Sequence, residues 1–143
     1  MAGKDMISAA RDAGRRLLTE VESKQLLVEA GIPTTAALLA TSREEATRLS
    51  RQIGFPAVLK IASQSIAHKS DVGGVRLGLS NEDEVGLAFD EMMDSIKNGY
   101  PDAEIQGVSV QPMARPGIEL VMGMSKDQQF GPVLMFGLDD CGM

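Results

Sequence analysis

The chain has 143 residues, the size of one domain, and its 43% hydrophobic and 24% charged content is that of a folded protein rather than a disordered one. A formal net charge of −6 argues against a nucleic-acid binder held by phosphate contacts and leaves room only for a local basic pocket. The single cysteine, Cys141, allows no intramolecular disulfide or thiolate cluster, no apolar run nears the ~20 residues of a membrane span, and no signal peptide is evident, so the sequence reads as cytoplasmic.

Residues 5–18 carry a weak helical stripe of Met6, Ala9, Ala10, Ala13 and Leu17. Thr19 and Glu22 then have the spacing of a capping box, which predicts a helix over 20–30 ended by Gly31, with Ile32-Pro33 forcing extended chain. A short apolar strand over 36–41 stops at Ser42, and Ser42 with Glu45 predicts a second box opening a helix that ends at Gly54. After Pro56, residues 57–61 form a β-type run interrupted by one cation, Lys60. A polar loop over 62–74 leads into an alternating strand over 75–79.

Ser80 with Asp83 is expected to cap the next helix, whose broad apolar face of Val85, Leu87, Ala88, Phe89, Met92, Met93 and Ile96 ends at Gly99-Tyr100-Pro101. Three further strands are predicted, over 107–113, 118–124 and 132–136.

Three segments have the composition for chemistry. Lys60 lies on a predicted central strand, where it either meets an anion such as phosphate, pairs with a carboxylate, or points to solvent. The stretch His68-Lys69-Ser70-Asp71-Val72-Gly73-Gly74-Val75 sets the only histidine beside a cation and two side-chain oxygens, then adds paired glycines whose N–H groups can approach a phosphate. It lacks Walker A spacing, and a polar surface turn is the alternative. Gln111-Pro112-Met113 joins two strands as a hinge whose extended backbone can read an adenine edge, with a plain hairpin as the alternative.

In this order the segments resemble the ATP-grasp domain of the ADP-forming (NDP-forming) acyl-CoA synthetases, in their β subunit or β-like domain. The resemblance runs from Leu18-Thr19-Glu20 and Ala30-Gly31-Ile32-Pro33 through Gly54-Phe55-Pro56-Ala57-Val58-Leu59-Lys60-Ile61 and the loop 68–75. It continues in 107–113, in Gly117-Ile118-Glu119-Leu120, and in Gln129-Phe130-Gly131-Pro132-Val133-Leu134-Met135-Phe136-Gly137-Leu138. It implies an α+β fold: an ATP-grasp N-terminal subdomain with the first strands of the second subdomain. Residues 1–18 would form an N-terminal helix, 19–106 the first subdomain, and 107–143 the hinge and the start of the second.

The resemblance also implies binding of ATP or ADP by Lys60, Lys69, Ser70, Asp71, Gly73, Gly74, Gln111, Pro112, Met113 and Glu119, with His68 as a phosphoryl carrier. The implied reaction interconverts acyl-CoA, ADP and phosphate with free acid, CoA and ATP, and needs a partner subunit or domain that binds CoA and the acid. Mg²⁺ belongs to the complete family domain. Its acidic ligands fall beyond the point where this sequence passes into Asp139-Asp140-Cys141-Gly142-Met143, so no metal residue is assigned and the chain is expected to be inactive alone. The competing expectation is a non-catalytic ATP-grasp module acting by nucleotide binding or by association, including self-association. The acyl substrate and the choice of ADP or GDP are not legible.

Overall fold

The computed structural model describes residues 2–66 and 69–138. It divides into two compact units, Met1–Met113 and Ala114–Met143.

In the first unit, helix α1 (Ala2–Asp12) ends earlier than its apolar stripe predicts. Gly14 adopts φ +70° and the Arg15 N–H donates to the Ala10 carbonyl, a glycine-terminated end that turns the chain before Leu17. Helix α2 (Glu20–Glu29) opens on the predicted capping box: Thr19 Oγ1 accepts from the Glu22 N–H at 3.2 Å, and Glu22 Oε2 accepts from the Thr19 N–H at 2.8 Å. Strand β1 (Leu38–Ala40) leads into helix α3 (Arg43–Ile53), where Ser42 Oγ accepts from the Glu45 N–H. The second box is only half formed, because the Glu45 carboxylate accepts from the Thr41 N–H and hydroxyl instead of reaching Ser42.

Strand β2 (Ala57–Ser63), strand β3 (Val75–Leu79) and strand β4 (Ile105–Pro112) join β1 in an antiparallel sheet of order β1-β4-β2-β3. Helix α4 (Glu82–Gly99) is capped by Asn81, one residue later than expected: its Oδ1 accepts from the Glu84 N–H, while the Ser80 N–H donates to the Glu84 carboxylate. Strand β4 begins at Ile105, two residues earlier than its β-rich composition marks, and bulges at Gln106, next to Gly107. The φ of +149° at Gly107, with the Ala40 carbonyl where a Cβ would stand, requires glycine.

The alternation of β2 and β4 sorts their residues between the two faces of the sheet. Leu59, Ile61, Val108 and Val110 are fully buried with Ala46 and Leu49 of α3 and Val85, Phe89, Met92 and Ile96 of α4, which is the hydrophobic core. Val58, Lys60, Ser109 and Gln111 fall on the opposite face, where Lys60 is paired in register with Ser109 and Val58 with Gln111. Helix α2 supplies polar side chains to this second face. α2 buries no residue of its own, so its attachment is polar rather than an apolar stripe.

The second unit is a hairpin of strand β5 (Leu120–Asp127) and strand β6 (Gly131–Leu138), in unbroken register from Leu120↔Leu138 to Asp127↔Gly131. Asp127 closes the turn by accepting from the Gln129 and Phe130 N–H groups, which hold its carboxyl below the usual value. Met122, Met124, Leu134, Phe136 and Leu138 are exposed.

Candidate nucleotide site

The cation predicted inside β2 is at the centre of a polar cluster. Lys60 Nζ donates to Glu20 Oε1 at 3.1 Å, the carboxylate pairing left open by the sequence, although its partner lies 40 positions away. One turn along α2, Lys24 Nζ is 3.6 Å from the same Glu20 oxygen and donates to Gln111 Oε1 and Thr35 Oγ1, both at 2.8 Å. Gln111 Nε2 in turn donates to Ser109 Oγ at 2.7 Å. Two ammonium groups and one carboxylate therefore share the side of the sheet opposite α3 and α4, leaving one net positive charge.

The electrostatics follow from this arrangement. Burial pushes the Glu20 carboxyl up, but the neighbouring Gln111 amide, Lys60 and Lys24 outweigh it and hold the group below the ordinary carboxylate value. Burial pushes the Lys24 ammonium below its ordinary value, with Glu20 opposing and Lys60 assisting.

Beside the cluster, α2 and the sheet flank an open cleft of about 530 Å³. Glu20, Ser109 and Lys69 line it together with Leu18, Leu39 and Ile66. Apolar walls with a few convergent polar groups are the usual makeup of a small-ligand site, and the volume is of the size such sites have.

Lys69 lies within the loop that joins β2 to β3, and Ser70 and Asp71 lie on a 3-10 turn there, Ser70–Val72. Gly73 takes φ +70°, whereas Gly74 is required by close approach: a Cβ there would stand 2.7 Å from Ile61 Cγ2 and 2.8 Å from the Lys69 carbonyl oxygen. The Gly74 N–H donates to the Lys69 carbonyl and the Gly74 carbonyl accepts from the Ile61 N–H, both at 2.7 Å, which ties the loop to β2. His68 lies outside the described residues, as do Asp139, Asp140 and Cys141.

At the hinge, the Met113 N–H donates to the Pro56 carbonyl at 3.0 Å, Pro112 is half-buried and Met113 is exposed. The Gln111 side chain is buried and committed to Lys24 and Ser109, so the hinge's free recognition groups are those of its backbone. Glu119 precedes β5 in the second unit and is exposed. Among the described residues no group of three His, Cys, Asp or Glu is placed to hold a metal ion.

Sequence reading did not find Glu20, Lys24 or Ser109 as parts of this face. Two signals carried them: the acid and base four apart on a helix with almost no apolar side, and the alternation Val108-Ser109-Val110-Gln111, which sets polar groups on one face of a buried strand.

Residues 9–141 match the family model described as an ATP-grasp domain. The β subunit of acetate–CoA ligase (ADP-forming) I from Pyrococcus furiosus is 42% identical over 135 residues, covering 94% of this chain and 58% of that subunit. The dinucleotide-forming acetyl-coenzyme A synthetase 1 of Ca. Korarchaeum cryptofilum, solved with coenzyme A, Ca-AMPCP and HgCl+, superposes with a TM-score of 0.92 at 48% identity. That match covers 95% of this chain and 59% of the solved one. A selenomethionine form of the same enzyme with coenzyme A and Mg-AMPPCP, its phosphohistidine segment pointing towards the nucleotide binding site, gives a TM-score of 0.78 at 43% identity over 95% of this chain and 56% of that one. The chain thus spans little more than half the length of these relatives. On the family match over nearly its whole length and the shared fold, the chain belongs to the ATP-grasp family and corresponds to part of the domain found in ADP-forming acyl-CoA synthetases.

Proposed function

We propose that the chain supplies the first wall of the nucleotide site in an ADP-forming acyl-CoA synthetase, where a phosphoryl group moves between a phosphohistidine and ADP. One observation carries the reading: Lys60 projects from the middle of a buried sheet onto the face that also bears Lys24, Ser109 and the cleft reaching Lys69. In phosphoryl transfer the protein mainly positions the groups and neutralises their charge, and Lys60 on the sheet with Lys69 on the neighbouring loop suits that task.

In this reading Lys60 and Lys69 bind the phosphates. Ser70, Asp71, Gly73 and Gly74 shape the loop, the backbone from Gln111 through Pro112 to Met113 meets adenine, and Glu119 lies near the nucleotide. His68 carries the phosphoryl group: its ring nitrogen–phosphorus bond breaks as a β-phosphate oxygen of ADP bonds to phosphorus, and the nitrogen keeps the electron pair. Support comes from the match of this segment's family to an enzyme solved with a phosphohistidine segment directed at its nucleotide site.

The partner is a subunit or domain that binds CoA and the acid, and the compartment is the cytoplasm. Among the described residues no helix is long and apolar enough to cross a membrane. A second reading, an association module without turnover, is favoured by the exposed apolar side chains of β5 and β6. Reconstitution with the CoA-binding partner and the rest of the ATP-grasp domain separates the two. Acid-labile phosphate on His68, abolished in His68→Asn together with ADP-linked turnover, supports the enzyme; full turnover by His68→Asn removes His68 from the mechanism.

A further inference from the structure

We infer that Glu20 is an internal counter-ion occupying the phosphate position on Lys60, and that nucleotide binding exchanges this carboxylate for a phosphate oxygen while Glu20 transfers its pairing to Lys24. The inference rests on the nucleotide-site reading above.

The geometry carries it in three steps. First, Glu20 Oε1 takes one of the three donor positions on Lys60 Nζ at 3.1 Å, so a phosphate oxygen drawn to the same ammonium arrives beside the carboxylate. Second, a phosphate and a carboxylate held by one ammonium in a half-buried setting repel at close range, which drives the carboxylate to withdraw. Third, the place to withdraw to is already built. Lys24 Nζ lies 3.6 Å from the same oxygen and has three N–H groups, two of them held by Thr35 and Gln111, so its third is available to Glu20.

Glu20 is thus a positioning residue. With no nucleotide bound it holds the Lys60 ammonium oriented and compensated, and on binding it remains on the helix paired to Lys24. The exchange weakens nucleotide affinity, because part of the phosphate–lysine attraction replaces an existing ion pair, and it favours release of product.

The test is an ADP titration of the full chain followed by NMR, which measures weak binding directly. Glu20→Gln removes the competing charge, and Glu20→Asp keeps a charge at the helix start while drawing it back from Lys60. Both should bind ADP about fivefold more tightly than wild type, the factor a half-exposed ion pair is worth. Lys24→Met should weaken binding in the wild-type background and have little effect when combined with Glu20→Gln, since its role is to receive the displaced carboxylate. Unchanged or weaker ADP binding in both Glu20 variants, with the wild-type circular dichroism spectrum, overturns the exchange. Failure of wild type to bind ADP at millimolar concentration overturns the nucleotide reading as well, whereas wild-type binding with unaltered variants overturns this inference alone.

Discussion

Gly74→Ala tests how the histidine-bearing loop is held against β2. The added methyl would stand 2.7 Å from Ile61 Cγ2 and 2.8 Å from the Lys69 carbonyl oxygen, both closer than van der Waals contact allows. Neither neighbour yields readily. Ile61 is fully buried in the core, and the Lys69 carbonyl is fixed by the hydrogen bond it accepts from Gly74 itself. Relief therefore requires the loop to move off the strand, breaking one or both 2.7 Å hydrogen bonds at Gly74. Overpacking of this kind costs about 1–3 kcal/mol, and a lost hydrogen bond falls in the same range. Because the chain has no Trp and one Tyr, urea unfolding is best followed by far-ultraviolet circular dichroism, with hydrogen exchange at the Ile61 amide as the local readout. The expected result is a lower midpoint and faster exchange at Ile61. Gly73, where a Cβ meets only Ser95 Oγ at 3.7 Å, should accept Asn with little loss because Asn tolerates the left-handed backbone. Wild-type stability and Ile61 protection in Gly74→Ala would refute the close-approach argument.

Arg15 makes two 2.9 Å hydrogen bonds to Glu22, and these, with the Thr19 contacts, outweigh burial and hold the Glu22 carboxyl down to about 2 from 4.5. Taken whole that depression is worth roughly 3 kcal/mol, and the pair's exposure reduces it to about 1 kcal/mol. A depressed folded-state value places this stability above pH 4.5 and removes it as pH falls towards 2, so Glu22→Gln should lower the urea midpoint at pH 7 and converge with wild type near pH 2. An equal difference at both values would contradict the linkage. The exposed residues Met122, Met124, Leu134 and Phe136 should drive concentration-dependent self-association of the chain, reduced by Met122→Lys with Leu134→Glu; sedimentation showing a wild-type monomer at high micromolar concentration would contradict it.

The parts of this structure that are local in sequence were legible. The Thr19 box, the Ser42 cap, Gly31 and Gly54 are governed by nearby residues, and the helices they bound appear where expected, while β1 covers only Leu38–Ala40 of the 36–41 read from sequence. Local rules failed where two local solutions competed. Ser80 and Asp83 have box spacing, but the Ser80 N–H goes to Glu84, which makes Asn81 the cap. In α1 the apolar stripe continued to Leu17, yet the Gly14 backbone ended the helix first.

The candidate site was legible only in part for a different reason. Lys60 was conspicuous as a charge on an apolar strand, but its partner Glu20 comes from an element 40 residues away, and Lys24 reaches Gln111 across 87 positions. Such pairings are decided by the packing of α2 across the sheet, which no window of sequence contains. Gly74 was noted for what a glycine can offer a phosphate; the structure adds that its N–H is engaged by Lys69 and that the methyl-sized space beside it is filled by Ile61.

The claim that the Lys60 face is a nucleotide wall is tested most directly by comparing ADP binding to wild type and Lys60→Met, titrated by NMR at one ionic strength. A charge-assisted hydrogen bond to phosphate contributes about 1.5–3 kcal/mol, so the account predicts weak binding by wild type and a loss of roughly tenfold or more in Lys60→Met, with shift changes on β2, β4 and α2. Equal ADP affinity in the two proteins, or binding that perturbs none of these elements, would contradict it.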